Sequence, residues 1–248
     1  MDAGKTEMDI PMEMQNQVMG YDRTATMFSP DGHLLQVEYA EKTVRLGSSS
    51  IGFSCKDGIV IIADRRLKDK LVENESANKV AEIDSHIICS TAGIMSDGRM
   101  LIDKARLIGQ QHRVTYDSAI DVESIIKEIS DIKQAFTQYG GARPFGVSIM
   151  IAGISGEKPK LYVSDITGNY FAYKASAIGE NDEKIKEILR EEFDEKMDIE
   201  EALRLGLKIF KKMLEKNFDV GRFDVAFIKN KEKRIKRLEG EELKKYIK

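Results

Sequence analysis

The chain has 248 residues, 42% of them hydrophobic and 33% charged, enough for one large domain or two small ones around a buried core. Its 39 basic side chains are matched by 42 acidic ones, and the net charge of -3 gives no support for a nucleic-acid footprint, which shows as a strong basic excess. No apolar run approaches the ~18 residues that span a bilayer, and residues 1–20 lack the apolar segment of a secretory signal, so a cytoplasmic protein meeting neither membrane nor nucleic acid is expected.

Residues 1–20 carry Met1, Met8, Met12, Met14 and Met19 among acidic and amide side chains without any period, the composition of a mobile tail. Ser29-Pro30-Asp31-Gly32 is a turn, with proline presetting φ at its second position and glycine at its fourth. Over Leu34–Leu46, the residues Leu34, Val37, Ala40 and Val44 share one helical face, and Gly47 supplies a stop. Strands follow at Ser48–Cys55 and Ile59–Arg66 around the turn Lys56-Asp57-Gly58, then at Lys79–Ile83 and His86–Thr91. The period becomes helical over Ser96–Tyr116 and Asp121–Tyr139. In the second of these, Val122, Ile125, Ile126, Ile129, Ile132 and Phe136 form one stripe behind an Asp121 N-cap. A second strand block covers Phe145–Ile154, Lys160–Ser164 and Asn169–Ala175. Two more helices fit Asn181–Phe193 and Asp198–Asn217, followed by strands at Phe223–Lys229 and Arg234–Leu238 and a short helix at Glu241–Ile247. Cys55 and Cys89 each lie inside an apolar run and read as core thiols of a reducing compartment.

The order is strand block, helix pair, strand block, helix pair, without the strict alternation of a doubly wound parallel sheet. Hairpins imply antiparallel sheets, each needing one face covered. The pattern therefore predicts an α+β fold, a four-layer αββα sandwich of two antiparallel sheets flanked by helix pairs, in a single domain over 21–248.

Motif spacing alone points to no enzyme. There is no Gly-rich phosphate loop, and His33, His86 and His112 are scattered without a paired-histidine or clustered-cysteine pattern, so no metal and no cofactor are expected. Ser76-Ala77-Asn78-Lys79 matches the Ser-x-x-Lys pattern of serine acylases. Ser124–Lys127 and Ser130–Lys133 match it too, as chance produces in a lysine-rich chain. Lys229–Arg237 carries six basic residues and one acid, which fits a solvated hairpin better than a nucleic-acid patch.

Tyr21-Asp22-Arg23, Phe28-Ser29-Pro30-Asp31-Gly32 and Gln36-Val37-Glu38-Tyr39-Ala40 together resemble the N-terminal signature of proteasome α subunits, the archaeal type above all. The likeness runs on through Ala63-Asp64-Arg65-Arg66, Ile132-Lys133-Gln134-Ala135, Gly140-Gly141-Ala142-Arg143-Pro144-Phe145-Gly146 and Ala177-Ile178-Gly179, covering residues 20–228. It implies the Ntn-hydrolase (proteasome-subunit) αββα fold and a barrel of four seven-membered rings. The partners implied are other α subunits, catalytic β subunits that hydrolyse peptide bonds, an unfolding ATPase that docks on the α ring, and unfolded protein substrates.

The same resemblance implies roles for single residues. Tyr21, Asp22, Pro30 and Tyr39 match gate residues that cluster between neighbouring subunits, residues 1–20 the gate tail, and 34–46 a helix of ring contact. Lys79, Gly47 and Gly93 match the pocket that receives the ATPase C-terminus, where an ammonium can pair with a terminal carboxylate. Arg99 and Arg143 match arginines of the lateral ring contact, though each also fits a salt bridge within the chain. Ser48 and Asp64 fall where the β family keeps its nucleophile and acidic partner. Without cleavage after Gly47 the nitrogen of Ser48 is an amide, whose delocalised lone pair cannot act as a base, so no catalytic residue is expected. The alternatives are a self-cleaving hydrolase with Ser48 as nucleophile, or a stand-alone α-ring paralogue. Glu41 and Leu46 depart from the archaeal pattern, which usually has arginine and a basic residue there.

Overall fold

The computed structural model describes residue 16, residues 18–66 and residues 71–247. After the turn at Ser29–Gly32 comes helix α1 (Leu35–Leu46), then strands β1 (Ser50–Cys55), β2 (Gly58–Asp64), β3 (Val80–Asp84) and β4 (Ile87–Gly93). Helices α2 (Met95–Tyr116) and α3 (Val122–Gln138) precede β5 (Val147–Ser155), β6 (Lys158–Ser164), β7 (Tyr170–Tyr173) and β8 (Ala175–Ile178). Helices α4 (Asp182–Glu192) and α5 (Ile199–Leu214), strands β9 (Phe223–Lys229) and β10 (Ile235–Leu238), and the single turn α6 (Glu241–Lys244) complete it.

The strands form two five-stranded sheets, ordered β10-β9-β2-β1-β8 and β3-β4-β5-β6-β7, with every pairing antiparallel. Three apolar layers hold the four-layer sandwich together. Between the sheets, Ile59, Ile61 and Ala63 of β2 meet Ile88, Met150 and Ala152. On the outer face of the first sheet, Phe53, Val60 and Ile62 pack against Leu203, Leu207 and Phe210 of α5. On the outer face of the second, Ile87, Cys89, Ile149 and Ile151 pack against Leu101 of α2 and Ile125, Ile126 and Ile129 of α3. Strands β2 and β5 are thus covered on both faces, which is why they read as continuous apolar runs rather than alternating ones. The two cysteines are free thiols in different outer layers, and burial pushes both up to about 12.

Local chemistry sets the helix starts. Asp121 accepts the Glu123 amide at 2.8 Å, the cap expected for α3. Asp198 and Glu201 form a reciprocal capping box at the start of α5, each bond 2.9 Å.

Three expected elements need correction. The strand expected at Asn169–Ala175 is two strands in different sheets: β7 is an exposed edge paired with β6, while β8 pairs with β1. Lys174 is the crossing point, its carbonyl accepting the Ser54 amide at 2.8 Å. A period of two carries no record of a strand changing sheets, because the alternation continues across the crossing. Gly47 stops α1 as expected, and does so in extended backbone, φ -68 and ψ 145. The last helix is one turn, and α5 ends at Leu214 with a 3-10 turn over Glu215–Asn217. Most of the expected tail, 1–15 and 17, lies outside the described residues. Its described end, Asn16, Val18 and Met19, is helical, with the Tyr21 amide donating to Asn16 O at 3.1 Å. Among the described residues no helix is long and apolar enough to cross a membrane.

Candidate functional site

A cleft of about 780 Å³ opens where the end of α1, the strand ends around β1 and β4, and the first turns of α2 converge. Its lining includes Gly47, Ser48, Lys79, Gly93 and Arg99, so five of the residues singled out in the sequence share one place. Two glycines let the chain segments close behind it. A Cβ on Gly47 would stand 2.3 Å from Gly93 N. One on Gly93, whose φ is +124, would stand 2.1 Å from Gly146 O. No side chain fits either position without moving backbone.

Lys79 is pinned through its main chain, because the amides of Lys79 and Val80 both donate to Asp224 Oδ2 at 2.7 Å. Asp224 is fully buried and also receives Arg237 at 3.1 Å, so the basic hairpin of β9 and β10 turns one arginine inward as a structural clamp. The Lys79 side chain reaches Ser48, donating to its carbonyl and lying 2.5 Å from its hydroxyl. Burial lowers Lys79 to about 7 against the opposing field of Asp64, and Arg66 lowers it further.

Asp64 does not pair with Lys79. It is 2% exposed and held by Arg222, Nε to Oδ1 at 3.0 Å and Nη2 to Oδ2 at 2.7 Å, with the Arg66 amide on Oδ1 at 3.0 Å. The nitrogen of Ser48 is a peptide nitrogen continuous with Gly47 and the ordered helix α1, whose Leu35, Val37 and Ala40 are buried.

The remaining predicted residues lie apart from this cleft. Pro30 is exposed on a turn closed by Gly32 N donating to Ser29 O at 2.9 Å. The Asp22 carbonyl accepts Gln36 Nε2 of α1 at 2.5 Å. Tyr39 lines a smaller hollow with Gln36, Thr43, Arg143 and Pro144. Among the described residues no hydrogen bond within the chain joins the side chains of Tyr21, Asp22 and Tyr39. Arg143 makes a two-pronged bond to Asp97, at 2.6 and 2.7 Å, and the Gly146 amide adds a third contact to Asp97 at 2.9 Å. These bonds, that of Arg143 foremost, hold the Asp97 carboxyl below the usual carboxylate range despite its burial. Arg99 is exposed on α2, with no ion pair among the described residues.

Sequence reasoning missed Arg222, Asp224 and Asp97, whose contacts with Asp64, Lys79 and Arg143 span 46 to 158 residues of chain. It also missed Lys133, which is wholly buried with Nζ donating to Ser164 O at 3.2 Å and Ser164 Oγ at 3.3 Å.

Residues 44–228 match the family model of the proteasome subunit, and residues 21–42 match the N-terminal signature of the A-type proteasome subunit. Similar curated proteins include the proteasome α subunit of Methanosarcina thermophila, 43% identical over 92% of this chain and 93% of the relative. That of Archaeoglobus fulgidus is 43% identical over the same shares, and that of Methanococcus maripaludis strain C7 is 41% identical over 96% and 91%.

Proposed function

Because this chain belongs to the proteasome α-subunit family, and is an α-ring subunit of a core particle that degrades proteins, we propose that it gates the passage of unfolded substrates and docks an unfolding ATPase. Seven copies form the outer ring on which β subunits assemble, in the cytoplasm, and the β subunits carry the catalysis. Residues 1–20 form the gate tail, and Tyr21, Asp22, Pro30 and Tyr39 set its position between neighbouring subunits. Arg99 and Arg143 serve ring contact, Arg143 in the posture that Asp97 imposes.

The observation that carries the docking reading is Lys79 at the inner wall of a cleft narrowed by Gly47 and Gly93. An incoming C-terminal carboxylate would find an amine that has no carboxylate partner among the described residues, and pairing would draw a proton onto it. Lys79→Ala in the assembled barrel is expected to abolish ATPase-stimulated peptide hydrolysis and leave basal hydrolysis unchanged. Stimulation retained in that variant would reject the reading. Nothing in the geometry favours Ser48 as a self-cleaved nucleophile, since the helix before it is packed into the fold.

A further inference from the structure

Three features of Lys79 bear on the chemistry of its amine. Lys79 is half-buried in the wall of a cleft of about 780 Å³, large enough to admit a small molecule. Among the described residues, Asp64 is committed to Arg222, and Asp224 to Arg237 and the Lys79 amide. Its side-chain partner, Ser48, offers a carbonyl that only accepts and a hydroxyl that can donate. A neutral amine has two N–H groups, gives one to each oxygen and keeps its lone pair free.

The charges facing it come from every neighbouring segment. Arg65 and Arg66 follow β2, with Arg66 paired to Glu180. Arg99, Asp103 and Arg106 come from α2, with Arg106 paired to Asp103. Among the described residues four guanidiniums stand against the carboxylates of Asp103 and Glu180, a positive excess that favours an anion in the cleft.

We propose that Lys79 is a nucleophilic amine that accepts an acyl group from an acyl phosphate, and that this modification closes the cleft to a carboxylate ligand. The lone pair of Nζ attacks the carbonyl carbon, the N–C bond forms, and the C–O bond to phosphate breaks. Phosphate leaves with the bond electrons and takes the proton lost by nitrogen, so an amine and an acyl phosphate become an amide and inorganic phosphate. Ser48 Oγ, 2.5 Å from Nζ, lies where it can pass that proton on. The arginines draw in the dianionic donor and stabilise the departing phosphate. The low proton affinity that burial gives this amine supports the same chemistry. The amide product carries no charge, so it cannot pair with a docking carboxylate; only this consequence rests on the docking reading.

The test is acetyl phosphate with the assembled full-length protein, read by peptide mass mapping after short exposures near neutral pH. Lys79 is expected to be acetylated at least about tenfold faster than exposed Lys211 and Lys212, which lie outside the cleft. Its rate should level off above about pH 8, where burial has already freed the amine of its proton. Equal rates at Lys79 and Lys211, or a Lys79 rate still climbing to high pH, overturn the inference. Arg106→Gln should slow acetylation by acetyl phosphate several-fold and leave acetylation by neutral N-hydroxysuccinimidyl acetate unchanged. An unchanged acetyl phosphate rate overturns the assignment of the donor. If Lys79 is acetylated and ATPase stimulation persists, the modification site stands and the docking reading fails.

Discussion

Arg222 holds Asp64 by two parallel hydrogen bonds, at 3.0 and 2.7 Å, and so leaves Lys79 to Ser48 alone. The residue matching an acidic catalytic partner is spent on structure, tying the end of β2 to the start of β9. Arg222→Gln would leave a 2% exposed carboxylate without its cation, at a cost of about 3–5 kcal/mol. Adding Asp64→Asn should recover part of that loss, because the buried charge is gone. Urea unfolding of the two variants checks this; a single variant within about 1 kcal/mol of the parent would show the pair to be dispensable.

Lys133 predicts a pH dependence. It sits wholly buried in α3, with hydroxyl and carbonyl partners only, and burial lowers it to about 7 against the opposing charge of Asp165. Between about 7 and the unfolded value near 10.4 the unfolded chain holds the extra proton, so stability from this site rises with pH across that window and is lowest below it. Lys133→Met is therefore expected to be more stable near pH 7 by about 1–4 kcal/mol, with the difference shrinking as pH approaches 10. Thermal unfolding of both proteins over that range is the check. The buried cysteines titrate alike in both and cancel from the difference.

The glycine floor of the cleft gives a paired substitution. Gly93→Ala puts a Cβ against Gly146 O at a φ of +124, and should cost at least about 1–3 kcal/mol. Gly140→Ala meets nothing within 4 Å and should stay within about 1 kcal/mol of the parent. Equal melting temperatures for the two would show that the backbone at Gly93 yields more readily than its contacts imply.

What was legible in the sequence was local. Asp121 and the stripe Val122, Ile125, Ile126 and Ile129 announce α3 because cap and period lie within a few residues of one another. Lys133 extends that stripe by one further step of four, so its burial was written in the register although its residue type argued otherwise. The sheet crossing at Lys174 was hidden, as was the reason for Gly47, which is glycine because Gly93 lies against it rather than because the helix needs a left-handed cap. The cleft was legible only by resemblance. Its construction rests on Asp64 with Arg222, Lys79 with Asp224 and Asp97 with Arg143, and contacts of that separation leave no local mark.

As an α-ring subunit, this chain closes a ring with copies of itself. Native mass spectrometry of the full-length chain, with single subunits ejected for their own mass, tests it most directly. The account predicts intact subunits of 28.0 kDa in a closed ring of seven, about 196 kDa, or two such rings together. Subunits shortened to begin at Ser48 would contradict it and make that residue a nucleophile. A full-length chain that remains monomeric alone and with β subunits would contradict the ring itself.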